Sequence, residues 1–341
     1  MFNFARKWFH SDEASSYPNL FPEIDYANHP YYREFYAGIT EADREAALAL
    51  FTKHHQGMVK QQKRFAATKK DRGNLPAALE PMGRALERDG ITGLRMKPEM
   101  RKQMLALTEQ AAQDLIAKRE SIAPEERGVE GVCSIVCHFD NKETPTYRFF
   151  DTLLREHGIY DLCRAYKGVP YQLKFAAMQI NQHDDTGVLS TCRFEDGKQA
   201  ETFYMHMDST IEVMKVIIYR SEHCDISTGA FRYIPGSCAM CGPEEIAIRK
   251  ANDKCGLDTI NIVERRKMFA ALPVKYQKKA NFGNDLIDSD SRTQRLLAHE
   301  QVYSTDIGDM LLFNPEGIHR GNIFKKPGQR QIFQLPLVPV L

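Results

Sequence analysis

His206 and Asp208 stand two positions apart in the segment AETFYMHMDS, with Met207 between them. In an extended strand, residues i and i+2 point to the same face, so an imidazole and a carboxylate would project side by side. These are two ligands for a divalent metal. A second histidine from a neighbouring strand would complete a two-histidine, one-carboxylate facial triad. That donor set leaves coordination positions open and marks non-heme Fe(II) oxygenases. His319 can supply it, because it follows the apolar stretch GDMLLFN and a turn. Arg330 comes eleven residues later, in GQRQIFQL. A strand, a turn and a returning strand would set Arg330 beside His319, where a guanidinium suits bidentate binding of a carboxylate. A dicarboxylate chelating the metal at one end and meeting Arg330 at the other is the requirement of 2-oxoglutarate. A competing pair exists: His183-Asp184-Asp185 also fits the HxD spacing.

These residues need strands to hold them, and the chain supplies strands after residue 168. YQLKFAAMQINQ, STCRFEDG, AETFYMHMDS, IEVMKVIIYR, GAFRYIPGS, QVYSTDIGDMLLFN and QIFQLPLVPVL are short, partly alternating and often separated by turn residues. That texture predicts an all-β sandwich or barrel with helices packed outside it. A polar, helix-like insertion covers about 239–297. Upstream, LERDGITGLRM reads as a short helix, a turn at Asp89-Gly90 and a short strand. MKPEMRKQMLALTEQAAQDLIAKRE reads as a long helix opened near Pro98, its apolar face running through Met100, Met104, Leu105, Leu107, Ala111, Leu115 and Ile116. PTYRFFDTLLREHGIYDLCRAY is a further helical stretch. Residues 1–40 are aromatic and irregular, and Thr40 with Asp43 marks the start of a mostly polar helix.

The composition narrows the function. Lys plus Arg number 46 and Asp plus Glu 45, a formal net charge of +1, which argues against a nucleic-acid partner. Apolar residues make up 43% and charged residues 27%, values of an ordinary folded chain. No apolar run approaches the ~18–20 residues that span a bilayer, so no membrane association is expected. The N-terminal residues carry no apolar secretory core, which predicts a cytoplasmic protein. The 8 cysteines are then expected to be reduced. Cys238-Ala-Met-Cys241 is a lone CxxC, for which Cys255 and His223 are the nearby candidate partners in a zinc site.

Together these stretches resemble the phytanoyl-CoA dioxygenase-like family of Fe(II)- and 2-oxoglutarate-dependent oxygenases. LERDGITGLRM is similar to that family's opening segment, HMD to its HxD, SEHCDISTGAFRYIPGS to its segment ending in PGS or PGT, and GDMLLFNPEGIH with Arg330 to its closing histidine and arginine. The resemblance covers about residues 85–341 and implies a double-stranded β-helix, a jelly-roll barrel of the cupin kind. Residues 1–84 form a separate arm and helical extension. The resemblance also chooses between the HxD pairs. The family's motif lies about thirty residues before PGS, and His206 is 29 residues before Pro235 whereas His183 is 52 before it.

What the resemblance implies is a metal held by His206, Asp208 and His319, with Arg330 binding the far carboxylate of 2-oxoglutarate. Gln179, Asn181, Thr202, Tyr204 and Tyr219 are further candidates for contacts to the co-substrate. The chain departs from the family at Cys238, where a histidine often follows PGS, at Gly321, where a serine is frequent, and at Met207. The retained Asp208 points to oxygen chemistry rather than halogen transfer. The expected activity is oxidation of a small molecule by O2, by hydroxylation or by desaturation or cyclisation, with 2-oxoglutarate converted to succinate and CO2. Two alternatives stand beside it: a non-catalytic barrel that binds a small molecule or partner, and a metal-dependent dioxygenase or isomerase that does not use 2-oxoglutarate.

Overall fold

The computed structural model describes residues 33–68, 73–122, 135–183, 206–208, 210–239, 242–257, 262–280, 294–295, 298–321 and 324–340. The chain runs α1 (Arg33–Ala37), α2 (Glu41–Thr68), α3 (Glu80–Asp89), β1 (Ile91–Arg95), α4 (Pro98–Glu120), β2 (Ile135–Phe139), α5 (Pro145–Glu156) and α6 (Ile159–Lys167). It continues β3 (Tyr171–Leu173), β4 (Ala176–Gln182), β5 (Met214–Tyr219), β6 (His223–Cys224), β7 (Phe231–Tyr233), α7 (Pro243–Leu257), α8 (Ile262–Ala271) and α9 (Val274–Ala280). It closes with β8 (Gln301–Tyr303), β9 (Thr305–Asp306), β10 (Asp309–Phe313), β11 (His319–Arg320) and β12 (Gln329–Pro339).

The local signals act where the residues place them. Thr40 and Asp43 cap α2 reciprocally: the Thr40 N–H donates to Asp43 Oδ2 (2.8 Å) and the Asp43 N–H to Thr40 Oγ1 (3.2 Å). Gly90 ends α3 at φ 76° and turns the chain into β1; a Cβ there would lie 2.5 Å from Cys238 Sγ. The helical stretch predicted over PTYRFFDTLLREHGIYDLCRAY is two helices, because Gly158 takes φ 66° between them. On α4 the buried stripe passes through Thr108 rather than Leu107, and the threonine hydroxyl is satisfied by donating to the Met104 carbonyl at 2.7 Å.

All strand pairs are antiparallel. The major sheet has seven strands in the order β1-β10-β5-β12-β4-β2, with β3 also paired to β12. A minor sheet has the order β11-β7-β8, and β6 pairs with β9. Alternation decides the layers. Met214, Val216 and Ile218 of β5, Met310 and Leu312 of β10, and Phe333, Leu335 and Leu337 of β12 face α4, α5 and α6 in one core. Ile217 and Tyr219, Leu311 and Phe313, and Ile332 face the other way, onto Phe231, Tyr233 and Tyr303 of the minor sheet. The space between the two sheets is the inner space that holds the site.

Of the seven predicted strand segments after residue 168, AETFYMHMDS shows a single bridge at His206 and five are found, with helices outside them. The closed barrel is not: among the described residues no ladder joins the two sheets edge to edge. STCRFEDG and the first part of AETFYMHMDS lie outside the described residues. The insertion at 239–297 is helical where described, as α7 to α9. Its core is shared with α2: Ala47 and Phe51 pack against Ile248, Ala251, Phe269 and Leu272. Among the described residues no helix is long and apolar enough to cross a membrane.

Candidate metal centre

His206 and His319 are placed by the backbone before their side chains act. The His206 N–H donates to the His319 carbonyl (3.0 Å) and the His319 N–H to the His206 carbonyl (2.9 Å), so the two residues sit opposite each other as an extra rung on the minor sheet. Their ring centroids are 4.5 Å apart. Asp208 follows on the same face, its N–H donating to the Pro315 carbonyl at 3.0 Å. Asp208 Oδ1 lies 3.5 Å from His319 Nε2 and 3.9 Å from His206 Nε2. One ligand atom from each of the three lies within 4.8 Å of the others, and among the described residues this is the one such cluster of histidine, cysteine and acidic groups.

The donor chemistry fits a metal. His319 Nδ1 lies 2.9 Å from the Gly317 carbonyl, which can only accept, so Nδ1 donates there and Nε2 is the nitrogen turned toward Asp208. The ring is fixed by Phe313 (5.3 Å between centroids), Phe231 (5.8 Å) and Tyr233 (6.4 Å). The turn before it is tied as tightly. Ser237 Oγ accepts the Ile318 N–H at 2.7 Å and donates to the Ile234 carbonyl at 2.6 Å, which gives the serine of the PGS segment its purpose. Tyr233 Oη donates to the Asn314 carbonyl at 2.9 Å, and a Cβ on Gly317 would come within 1.9 Å of that oxygen. Only glycine fits there.

Charges surround Asp208. Lys215 Nζ lies 2.5 Å from Asp208 Oδ2 as an ion pair whose angles do not make a hydrogen bond. Burial works to raise the Asp208 carboxyl pKa, but Lys215 and the two histidines hold it well below the usual carboxylate range. Behind it lies a cluster that closes on itself. Lys167 Nζ pairs with Glu212 Oε2 (2.8 Å) and Glu316 Oε2 (3.1 Å), and Lys250 Nζ lies 3.8 Å from Glu316 Oε1. Lys250 is fully buried and donates to the Asp208 carbonyl at 2.9 Å and to the Thr210 carbonyl. Glu212 adopts φ 59°, and its N–H donates to Glu316 Oε1 at 3.1 Å. The insertion helix α7 thus reaches the backbone of Asp208 through Lys250.

The far end of the inner space holds Arg330, 5% exposed, on β12 opposite Asn181 of β4. Its Nε and Nη2 donate to Asn181 Oδ1 at 3.2 and 2.8 Å, and its Nη1 donates to the Gly229 carbonyl. No carboxylate among the described residues pairs with it. Gly229 lies two residues before Phe231, whose ring stands beside His319. Tyr219 shares this face, opposite Ile332, and accepts the Phe231 N–H at 3.3 Å. Burial pushes the Tyr219 phenol up to about 12, with Arg330 opposing the rise. Gln179 is on the same face and is held by Gln334.

Of the sequence-predicted residues, the structure brings together His206, Asp208 and His319 at one end and Arg330, Asn181 and Tyr219 at the other, with Gln179 on the same sheet face. Thr202 and Tyr204 lie outside the described residues, as do Asp185 and Cys241. His183 follows β4, with its N–H donating to the Gly328 carbonyl at 3.0 Å, and it is not part of the metal cluster. The proposed partners of Cys238 are dispersed: Cys255 is buried against α2, and His223 is exposed beside Asp306. Cys238 itself meets the Tyr166 hydroxyl at 3.6 Å. Lys215, Lys250 and Glu316 were not anticipated. Lys215 alone left a signal, a single lysine at an inward position of an otherwise apolar strand.

No family model and no curated protein matches the chain, so the likeness of its motifs to one family stays a resemblance. Among solved structures it is similar to the non-heme alpha ketoglutarate dependent epimerase SnoN from nogalamycin biosynthesis, at 15% identity and TM-score 0.48 over 78% of this chain and 84% of that one. It is similar to EctD from S. alaskensis with bound Fe, at 14% identity and TM-score 0.41 over 78% of this chain and 77% of that one. It is also similar to AviO1 from Streptomyces viridochromogenes Tue57, at 11% identity and TM-score 0.43 over 78% of this chain and 96% of that one. At such scores the likenesses carry no weight of their own, and a functional reading stands on the side chains.

Proposed function

We propose that this chain is an Fe(II)- and 2-oxoglutarate-dependent dioxygenase that oxidises a small molecule with release of succinate and CO2. The observation that carries the reading is one inner space with two complementary ends: three converging metal donors at His206, Asp208 and His319, and a buried guanidinium at Arg330 whose described partners are all neutral carbonyls. A buried cation without a paired anion is costly, so the Arg330 end is suited to receive one.

Bound Fe(II) would supply activation of O2 coupled to decarboxylation of the keto acid. His206, Asp208 and His319 would hold it from one side and leave the other side to small ligands. Arg330 would take the far carboxylate, with Asn181 fixing the plane of the guanidinium. Tyr219 stays protonated at neutral pH and so adds no negative charge beside that carboxylate. Phe231, Phe313 and Tyr233 exclude water from the His319 side. Hydroxylation is the default outcome, and desaturation or cyclisation would use the same residues. Membership of the phytanoyl-CoA dioxygenase-like family, a closed jelly roll, a cytoplasmic location and a division at about residue 85 belong to the same proposal.

Succinate release tests it. Wild-type protein supplied with Fe(II), 2-oxoglutarate and air should form succinate, and Asp208→Ala should form none. Equal succinate from both proteins would reject the metal centre.

A further inference from the structure

We propose that Lys215 is a positioning residue that keeps Asp208 a one-oxygen metal ligand, and so keeps open the coordination position that O2 needs. This rests on the metal-centre reading above and adds to it a residue outside the triad.

The two oxygens of Asp208 have different partners. Oδ1 faces both imidazoles, at 3.5 and 3.9 Å, while Oδ2 faces the Lys215 ammonium at 2.5 Å. Lys215 cannot easily point elsewhere. Its neighbours Met214 and Val216 are completely buried in the outer core, so strand alternation turns Lys215 to the inner face, opposite Phe313 of β10 and Pro336 of β12. The Asp208 backbone is equally fixed, since its N–H is bonded to the Pro315 carbonyl and its own carbonyl accepts from Lys250. Presenting both oxygens to a metal would require Oδ2 to leave the ammonium.

The count of ligands explains why that matters. Two imidazoles and one carboxylate oxygen leave three positions of an octahedral metal, two for a chelating keto acid and one for O2. A carboxylate that binds through both oxygens leaves two, and the keto acid and O2 then compete. The ammonium has a second effect. A positive charge held on the other oxygen of a metal-binding carboxylate would repel a divalent metal even at an effective dielectric constant of about 20, so Lys215 weakens metal binding while favouring the open geometry.

The two effects have opposite signs, which separates them from mere structural support. Co(II) is a suitable probe, because its visible absorption reports coordination and it can be titrated without turnover. Lys215→Met should bind Co(II) about tenfold or more tightly than wild type, with a changed absorption spectrum, and the Co(II)-loaded variant, one positive charge poorer, should bind the dianionic 2-oxoglutarate about tenfold more weakly. Lys215→Arg should restore both values, and Lys215→Gln repeats the neutral case should the methionine variant misfold. If neutral variants match wild type in both affinities, or lose both together, Lys215 is not the lock proposed. If wild type binds no Co(II), or His319→Ala binds it as well as wild type, the metal centre itself is wrong, and the lock with it.

Discussion

Two of the places where the chain buries positive charge are built differently. Behind Asp208, Lys167 and Lys250 are matched by Glu212 and Glu316, and the Lys250 ammonium also reaches the backbone of Asp208 and Thr210. At the far end of the inner space, Arg330 meets the Asn181 side chain and the Gly229 carbonyl but no described carboxylate. The first cluster is complete in the protein alone and so works as a support. The second lacks an anion among the described residues, which is why we propose it as a site.

Breaking the closed cluster should have the largest effect on folding. Glu316→Ala takes the carboxylate from the buried Lys250 ammonium and leaves Lys167 with Glu212 alone, and urea unfolding should show a loss of about 3–5 kcal/mol. A loss below about 1 kcal/mol would mean that the cluster is not the support described. Arg330→Met should do the reverse. It removes a buried charge that has no anion among the described residues, at the expense of hydrogen bonds to two carbonyls, so stability should change by less than about 2 kcal/mol. Affinity for 2-oxoglutarate should instead fall about a hundredfold, or ~2.8 kcal/mol. If the variant unfolds as readily as Glu316→Ala yet keeps normal 2-oxoglutarate dependence, the roles of the two regions are exchanged.

Acid sharpens the contrast further. Burial tends to raise the Glu316 carboxyl, but Lys167 and Lys250 hold it below the ordinary glutamate range. A lowered carboxylate pKa contributes stability that is full above the unfolded-state value and is lost as the pH falls toward the folded-state value. Wild type should therefore lose stability on acidification through and below the ordinary glutamate range. Glu316→Gln should show a shallower slope over that window in urea midpoints measured across a pH series. The exposed pair of Lys97 and Glu156 at 3.1 Å sets the lower bound. Glu156→Ala should change stability by no more than about 0.5 kcal/mol, whatever the geometry of the pair.

Much of this was legible in the residues, for identifiable reasons. The spacing of His206 and Asp208 reads as a strand, of which the described residues show one bridge at His206, while the Asp89-Gly90 turn and the apolar runs of β5, β10 and β12 are local patterns that the structure keeps. His319 and Arg330 were found because a strand and a returning strand lie close in sequence. The closed charge cluster was hidden because its members come from α6, the loop before β5, α7 and the turn before β11. No spacing in the chain announces that Lys167, Glu212, Lys250 and Glu316 meet. Lys215 was overlooked because a lysine in a strand ordinarily faces solvent, and only the register shows that its face is the inner one. The long polar helix α2 gave no hint of its partner, since its buried contacts with the insertion helices come from a few widely spaced residues, Ala47 and Phe51 among them.

The most direct test is an anaerobic titration of the protein with Fe(II) and 2-oxoglutarate, followed by visible absorption. A keto acid chelating iron held by His206, Asp208 and His319 gives a weak charge-transfer band. The band should appear in wild type, require about a hundredfold more 2-oxoglutarate in Arg330→Met, and be absent from Asp208→Ala. Folded wild-type protein that shows no band, or an Asp208→Ala protein that shows the same one, would contradict the assignment of the inner space as an iron and 2-oxoglutarate site.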